Sequence, residues 1–274
     1  MAQTENKLRI PETLRKVKNI VGVFSAKGGV GKSAISLQIA LALKDKGLKV
    51  GLVDADIYGP SQPVMLNSAA GELKLTQDKV IQPLMKEGIK FISMGLISNE
   101  KMPVIWRGPM VSGAVMQLLS QTEWGELDYL IVDTPPGTGD VQLTLLQRIP
   151  LTSAIVVTTP QKVAISDCKK GIEMINKLNL PISGLIENMS WFKPDETDKK
   201  YYLFGRDGGK ELSEEYSLDL LAQLPLVELT DDENIQNNPT LKKEFVNISD
   251  KLTESIKNLK EKKSAGIPQI NIIQ

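Results

Sequence analysis

Histidine is absent from this 274-residue chain, and Cys168 is its single cysteine. These absences exclude imidazole acid–base catalysis, a disulfide within one chain, and a zinc site built from cysteine and histidine. Excess charge is missing too. Lys and Arg number 33 and Asp and Glu number 33, so no net field draws the chain to nucleic acid or an anionic membrane. No apolar run approaches the ~20 residues of a membrane span. The opening Met1-Ala2-Gln3-Thr4-Glu5-Asn6-Lys7 lacks the apolar stretch of a secretory signal. A cytoplasmic protein without membrane contact is the expectation. Its chemistry must then rest on lysine, carboxylates, hydroxyls and backbone amides. Phosphoryl transfer suits that inventory, because it depends on positioning, cations and a metal.

What is present begins with Ser25-Ala26-Lys27-Gly28-Gly29-Val30-Gly31-Lys32-Ser33. The apolar run Ile20–Phe24 before it reads as a buried strand, and the mostly apolar Ala34–Leu43 after it reads as a helix. Strand, glycine loop and helix N-terminus form the setting of a phosphate-binding loop. Phosphate oxygens need backbone N–H donors at close range, so Gly28, Gly29 and Gly31 clear the approach. The helix N-terminus adds unpaired N–H groups, and the Lys32 ammonium reaches the β and γ phosphates. The Ser33 hydroxyl is placed to ligate Mg²⁺. Ala26 stands where the usual pattern has glycine, and Ala34 completes the cradle.

Two further strands end in acids. Val50–Val53 runs into Asp54-Ala55-Asp56-Ile57-Tyr58-Gly59-Pro60, and Tyr129–Val132 runs into Asp133-Thr134-Pro135-Pro136-Gly137-Thr138-Gly139-Asp140. Carboxylates at strand C-termini lie on the face where open α/β sheets bind ligands. Asp133 reads as an acid that holds Mg²⁺ through its waters, although a strand-end aspartate also caps turns. Asp56 reads as the residue orienting the attacking water, with a turn role as the alternative. Asp54 is either a second metal partner or a structural acid. An ordinary phosphate loop does not require Lys27, whose charge suits stabilisation of phosphate oxygens in the transition state.

Elsewhere, strands are expected at 154–158 and 182–186 with a helix over 163–178 between them. Weak alternation from Gly71 to Phe91 reads as an inserted hairpin, and Trp106-Arg107-Gly108-Pro109 opens a helix to about Ser120. Helix signals resume near Gly209. An amphipathic helix over 241–260 carries Leu241, Phe245, Ile248, Leu252, Ile256 and Leu259 as a core stripe. The alternation predicts a doubly wound, mainly parallel α/β sheet with helices on both faces. Residues 1–19 form a lead-in, 20–262 one domain and 263–274 a tail. Cys168 shares a helical stripe with Ile165, Ile172 and Ile175, so a buried, inert thiol is expected.

These strings together resemble the deviant P-loop ATPases, the class of MinD, ParA and the nitrogenase iron protein, and within it the Mrp/ApbC-type iron–sulfur cluster carriers. Lys27–Ser33, Asp54–Ser61, Trp106–Pro109, Asp133–Asp140, Thr159-Pro160-Gln161 and Glu187-Asn188-Met189-Ser190 carry the resemblance. It implies a homodimer with ATP at the interface and Lys27 contacting phosphates in the partner. It also implies that Asn188 reads the adenine edge and that apoprotein clients or assembly partners receive a cluster. The family's C-P-x-C pair, however, is replaced by Pro194 and Thr197. A conventional cluster takes four thiolates, and two copies of Cys168 supply two. Iron ligands would then have to include Asp195, Glu196, Tyr201, Tyr202 or a partner's cysteines. Two rival readings follow: a cluster-free, ATP-switched scaffold using the aromatic loop Trp191–Phe204, and a ParA- or MinD-like positioning ATPase.

Overall fold

The computed structural model describes residues 11–68, 73–76, 80–96, 108–194, 196–227 and 238–264. The expected strand at the phosphate loop is β1 (Ile20–Phe24), and it lies inside the sheet rather than at an edge. In chain order follow α1 (Lys32–Asp45), β2 (Val50–Asp54), the single turn α2 (Gln62–Met65), β3 (Lys74–Leu75), β4 (Ile81–Gln82), β5 (Leu84–Lys86) and β6 (Ile89–Ser93). Then come α3 (Gly108–Gln121), β7 (Tyr129–Asp133), α4 (Asp140–Arg148), β8 (Ser153–Thr158), α5 (Lys162–Lys177), β9 (Ile182–Glu187), α6 (Gly208–Tyr216), β10 (Leu220–Gln223) and α7 (Pro239–Ser264).

Eight strands form one sheet in the order β10-β9-β8-β1-β7-β2-β6-β5. All neighbours are parallel except β5 and β6. A parallel sheet buried on both faces needs near-continuous apolar strands, and β1, β2 and β7 are buried at every residue. Their side chains still alternate between faces. Val21 and Val23 of β1 pack with Leu37 and Ile39 of α1 and with Phe245 and Ile248 of α7. Ile20 joins Leu118 and Trp124 behind the sheet, and Phe24 joins Ile172 of α5. Full burial of each such side chain contributes about 1.5–3 kcal/mol.

The stripe expected over 241–260 is buried at Leu241, Phe245, Ile248, Leu252 and Ile256, with Leu259 half-buried. The inserted hairpin is present, and β5 and β6 also pair antiparallel, but the region reaches further than expected. Lys74–Leu75 and Ile81–Gln82 do pair as a small ribbon, but β6 joins the main sheet parallel to β2. Ile89, Phe91 and Ile92 are fully buried there, so continuous burial rather than alternation was the signal. Helix α4 and strand β10 were not anticipated. Trp106, Arg107, Asp195 and residues 1–10 and 265–274 lie outside the described residues.

Candidate nucleotide site

The register of the sheet brings the acids to the phosphate loop. Asp133 pairs with Val23 of β1 on one side and with Asp54 of β2 on the other. All three strand ends therefore stand beside residues 25–33, and the spacing of the two motifs in sequence becomes irrelevant.

The loop's glycines have separate duties. Gly29 and Gly31 take φ of +79° and +84°, a region costly for residues with a Cβ. A Cβ on Gly31 would also collide with Asn188 Nδ2. Gly28 takes no such angle, and a Cβ there would meet only Pro136 Cγ at 4.0 Å. Ala26 is half-buried, and its methyl faces Gly171 of α5, where a Cβ would stand 3.4 Å away. A glycine on the neighbouring helix thus makes room for the side chain that the loop has gained. The Val30 side chain is buried in the core beneath the loop, while Ala34 lies half-buried in the first turn of α1.

Lys32 is 5% exposed and forms an ion pair with Asp133 Oδ1. The Ser36 hydroxyl, one helical turn on, lies 3.1 Å from the same oxygen and 3.0 Å from the Lys32 carbonyl. Gln62 Nε2 donates to Asp133 Oδ2 at 3.0 Å and to the Ser33 carbonyl at 2.8 Å. Asp54 is fully buried and accepts from Ser93 Oγ at 2.9 Å, Asp56 N–H at 3.1 Å and Gln62 N–H at 3.3 Å. Burial, and then the charge of Asp133, push its carboxyl up to about 7. Asp56 accepts from Tyr58 N–H at 3.2 Å and Gly59 N–H at 3.3 Å, so it does hold the turn. Burial also raises its pKa, against the opposing pull of Lys32.

Asp133 and Asp54 are buried on paired strands, and the Lys32 ammonium bonds Asp133. That arrangement, with the half-buried Ser33 alongside, is an all-oxygen donor set of the kind Mg²⁺ prefers. The residues present therefore fit the cation. The stretch after Asp133 is tied to β1: Thr134 Oγ1 donates to the Val23 carbonyl at 2.8 Å and Gly137 N–H to the Ser25 carbonyl at 2.9 Å. Gln142 Nε2 in turn donates to Thr134 Oγ1 at 3.0 Å.

Lys27 differs from its neighbours. It is exposed, and no hydrogen bond or ion pair joins it to another described residue. Within one chain its charge faces solvent. Asn188 Nδ2 donates to the Val30 carbonyl at 2.9 Å, which makes this side chain a brace of the phosphate loop.

The segment after β9 carries Pro194 and Thr197 where the resemblance led to the expectation of a cysteine pair. Its roots are clasped by Glu187, which is buried and accepts from Ser190 Oγ at 2.7 Å, Gln223 Nε2 at 2.9 Å and Gly209 N–H at 2.5 Å. The last of these lies in the first turn of α6, where a carboxylate is favoured. Beyond the clasp, Phe192 and Tyr201 exchange two backbone hydrogen bonds of 2.8 Å. Lys200 lies 3.7 Å from the Trp191 ring centre and Arg206 3.9 Å from that of Tyr202. Glu196 is exposed. Cys168 is buried in the core, and burial pushes its thiol up to about 12. Among the described residues no group of three Cys, Asp or Glu converges as a metal-ligand set.

Ser36, Gln62, Ser93 and Glu187 were missed from sequence. Ser36 alone had a signal, its four-residue spacing from Lys32.

A family model described as ParA, the NUBPL iron-transfer P-loop NTPase, matches residues 16–260. An iron–sulfur cluster carrier protein of Pseudomonas fragi is 48% identical over 214 residues, covering 78% of this chain and 75% of that protein. One from Synechocystis is 46% identical over 231 residues, covering 82% of this chain and 65% of that protein. The chain thus spans about two thirds to three quarters of the length of these relatives. A nucleotide-binding protein of Archaeoglobus fulgidus in complex with ADP superposes with a TM-score of 0.69 at 30% identity, covering 88% of this chain and 90% of that one. The chain belongs to the NUBPL iron-transfer P-loop NTPase family, the group whose relatives carry or transfer iron–sulfur clusters.

Proposed function

We propose that this protein is a Mg²⁺-dependent, homodimeric ATPase of the cytoplasm that assists iron–sulfur cluster assembly or transfer to apoproteins. The observation that carries the reading is the convergence of Lys32, Ser33, Asp54 and Asp133 at the ends of three adjacent strands. The backbone amides of residues 26–34 and the Lys32 ammonium bind the phosphates of ATP. Ser33, Asp54 and Asp133 would hold Mg²⁺, which neutralises charge on the phosphate oxygens. Asp56, with its raised pKa, accepts a proton from or orients the attacking water. Exposed Lys27 is free to reach phosphates across a dimer interface, adding cationic stabilisation as the γ-phosphoryl leaves. The Asn188 side chain keeps its oxygen for the adenine amino group. The unit that does this spans residues 20–262.

A second reading is favoured by one observation, the clasped loop without thiolates. In it, ATP switches a cluster-free scaffold whose 191–204 segment recognises a protein partner, since aromatic and cationic side chains concentrate there. A DNA- or membrane-positioning role draws no support from the balanced charge. Among the described residues, no helix is long and apolar enough to cross a membrane.

One experiment separates the first two readings. The protein is reconstituted anaerobically with iron and sulfide, desalted, and analysed for both alongside ATP turnover. Stoichiometric iron with turnover supports carriage on ligands other than a C-P-x-C pair. Turnover with no retained iron removes the carriage reading and leaves the scaffold.

A further inference from the structure

We propose that Gln62 is a positioning residue of the cation site, an inference that rests on the ATPase reading above. Gln62 opens α2, eight residues after Asp54, and is fully buried. It touches three of the four converging groups at once. Both protons of Nε2 are engaged, one on Asp133 Oδ2 at 3.0 Å and one on the Ser33 carbonyl at 2.8 Å. Its main-chain N–H donates to Asp54 Oδ2 at 3.3 Å. No other described side chain bonds to both the phosphate-loop helix and the strand-end acid from outside α1.

The orientation of this amide is fixed by its neighbours. Both groups facing Nε2 are acceptors, so exchanging the nitrogen and oxygen ends would set Oε1 against a carboxylate and a carbonyl. Oε1 is therefore the end left over, and it is buried with no donor from any described residue. A buried amide oxygen without a partner is costly, so its place in the structure asks for a donor. A hydrated divalent cation supplies O–H donors of that kind.

Gln62 thus does two things for the site. Its nitrogen holds Asp133 and Ser33 at a fixed separation, and its oxygen offers an acceptor to the cation's water shell. Groups that orient metal-binding residues typically change metal affinity by about 10–100-fold when removed. Neither the loop's N–H groups nor the Lys32 ammonium bonds to Gln62 directly. Mg²⁺ affinity and nucleotide affinity without Mg²⁺ should therefore respond differently.

The test uses Gln62→Met, an unbranched side chain of similar size with no donor and only a weak acceptor, and Gln62→Leu as a second packing solution. A fluorescent ATP analogue is titrated in EDTA and then over a Mg²⁺ series, on the full chain. The expected result is an affinity in EDTA within about twofold of wild type and a Mg²⁺ half-saturation raised about tenfold. A wild-type Mg²⁺ response in a folded variant overturns the proposal, as does an equal loss with and without Mg²⁺, which would mark Gln62 as packing alone. If wild type binds no analogue under either condition, the ATPase reading falls and takes this inference with it. Should neither variant fold, the Gln62 side-chain amide resonances of wild type decide. They must shift when Mg²⁺ is added to the ADP complex, and unmoved resonances overturn the inference.

Discussion

The segment after β1 and the segment after β9 leave the same side of the sheet, yet they differ in how far this chain keeps the chemistry of its family. After β1, loop, lysine, hydroxyl and facing acids are all present and joined by the sheet register. After β9, the backbone is still organised, with Glu187 pinning both roots, but the thiolate ligands are gone. The phosphate-loop constellation is built at the ends of adjacent strands, whereas the segment after β9 keeps its backbone bonds without any cysteine.

The largest effect that would break this contrast comes from Lys32→Ala. ATP affinity should fall more than about hundredfold, because the buried Lys32 ammonium proposed to bind the phosphates is lost. The same change leaves Asp133 buried, unpaired and beside Asp54, so stability should fall by about 3 kcal/mol. Binding is best measured below the lowered melting temperature. Next in size is Asp56→Ala, expected to slow hydrolysis about hundredfold while ATP affinity stays within about threefold. Single-turnover kinetics read this directly, and unchanged turnover would confine Asp56 to its turn.

A smaller effect sharpens the electrostatic half. The folded-state pKa of Asp54 is raised to about 7 from 3.8. Between these values the folded chain binds more protons than the unfolded one, so stability present at low pH is lost as pH rises through about 7. In metal-free buffer, Asp54→Asn should flatten that decline, although its amide nitrogen must face a main-chain N–H that the carboxylate accepted from. Denaturant unfolding across pH 4–8 checks it, and parallel profiles for the two proteins would contradict it. The smallest effect belongs to Cys168→Ala. Loss of a buried sulfur should cost about 1–2 kcal/mol, with iron content after anaerobic reconstitution unchanged. A fall in iron would make Cys168 a ligand and erase the contrast.

Much of this was legible before the fold was known, for reasons that differ by residue. Glycines at 29 and 31 announce a backbone conformation, and Asp133 and Asp54 follow apolar strands whose parallel pairing must align their ends. Those are local signals with one geometric consequence. Gln62 and Glu187 were invisible because their partners lie far off in sequence: Gln62 reaches Asp133 across 71 positions and Glu187 reaches Gln223 across 36. A polar residue in such a place looks like any other until tertiary packing buries it. That β6 also joins the main sheet was missed for a similar reason. A short buried strand such as Ile89–Ser93 lacks the alternation that marks exposed hairpins, and only its neighbour β2 identifies it. Lys27 shows the opposite case, a lysine singled out by its position whose partner is not found among the described residues of its own chain.

Isothermal titration of ATP with Mg²⁺ into wild type and into Lys32→Ala tests the central claim most directly. The account predicts a saturable heat for wild type, weakened by EDTA and absent in the Lys32 variant. No heat with folded wild type, or an equal heat in both proteins, would contradict it.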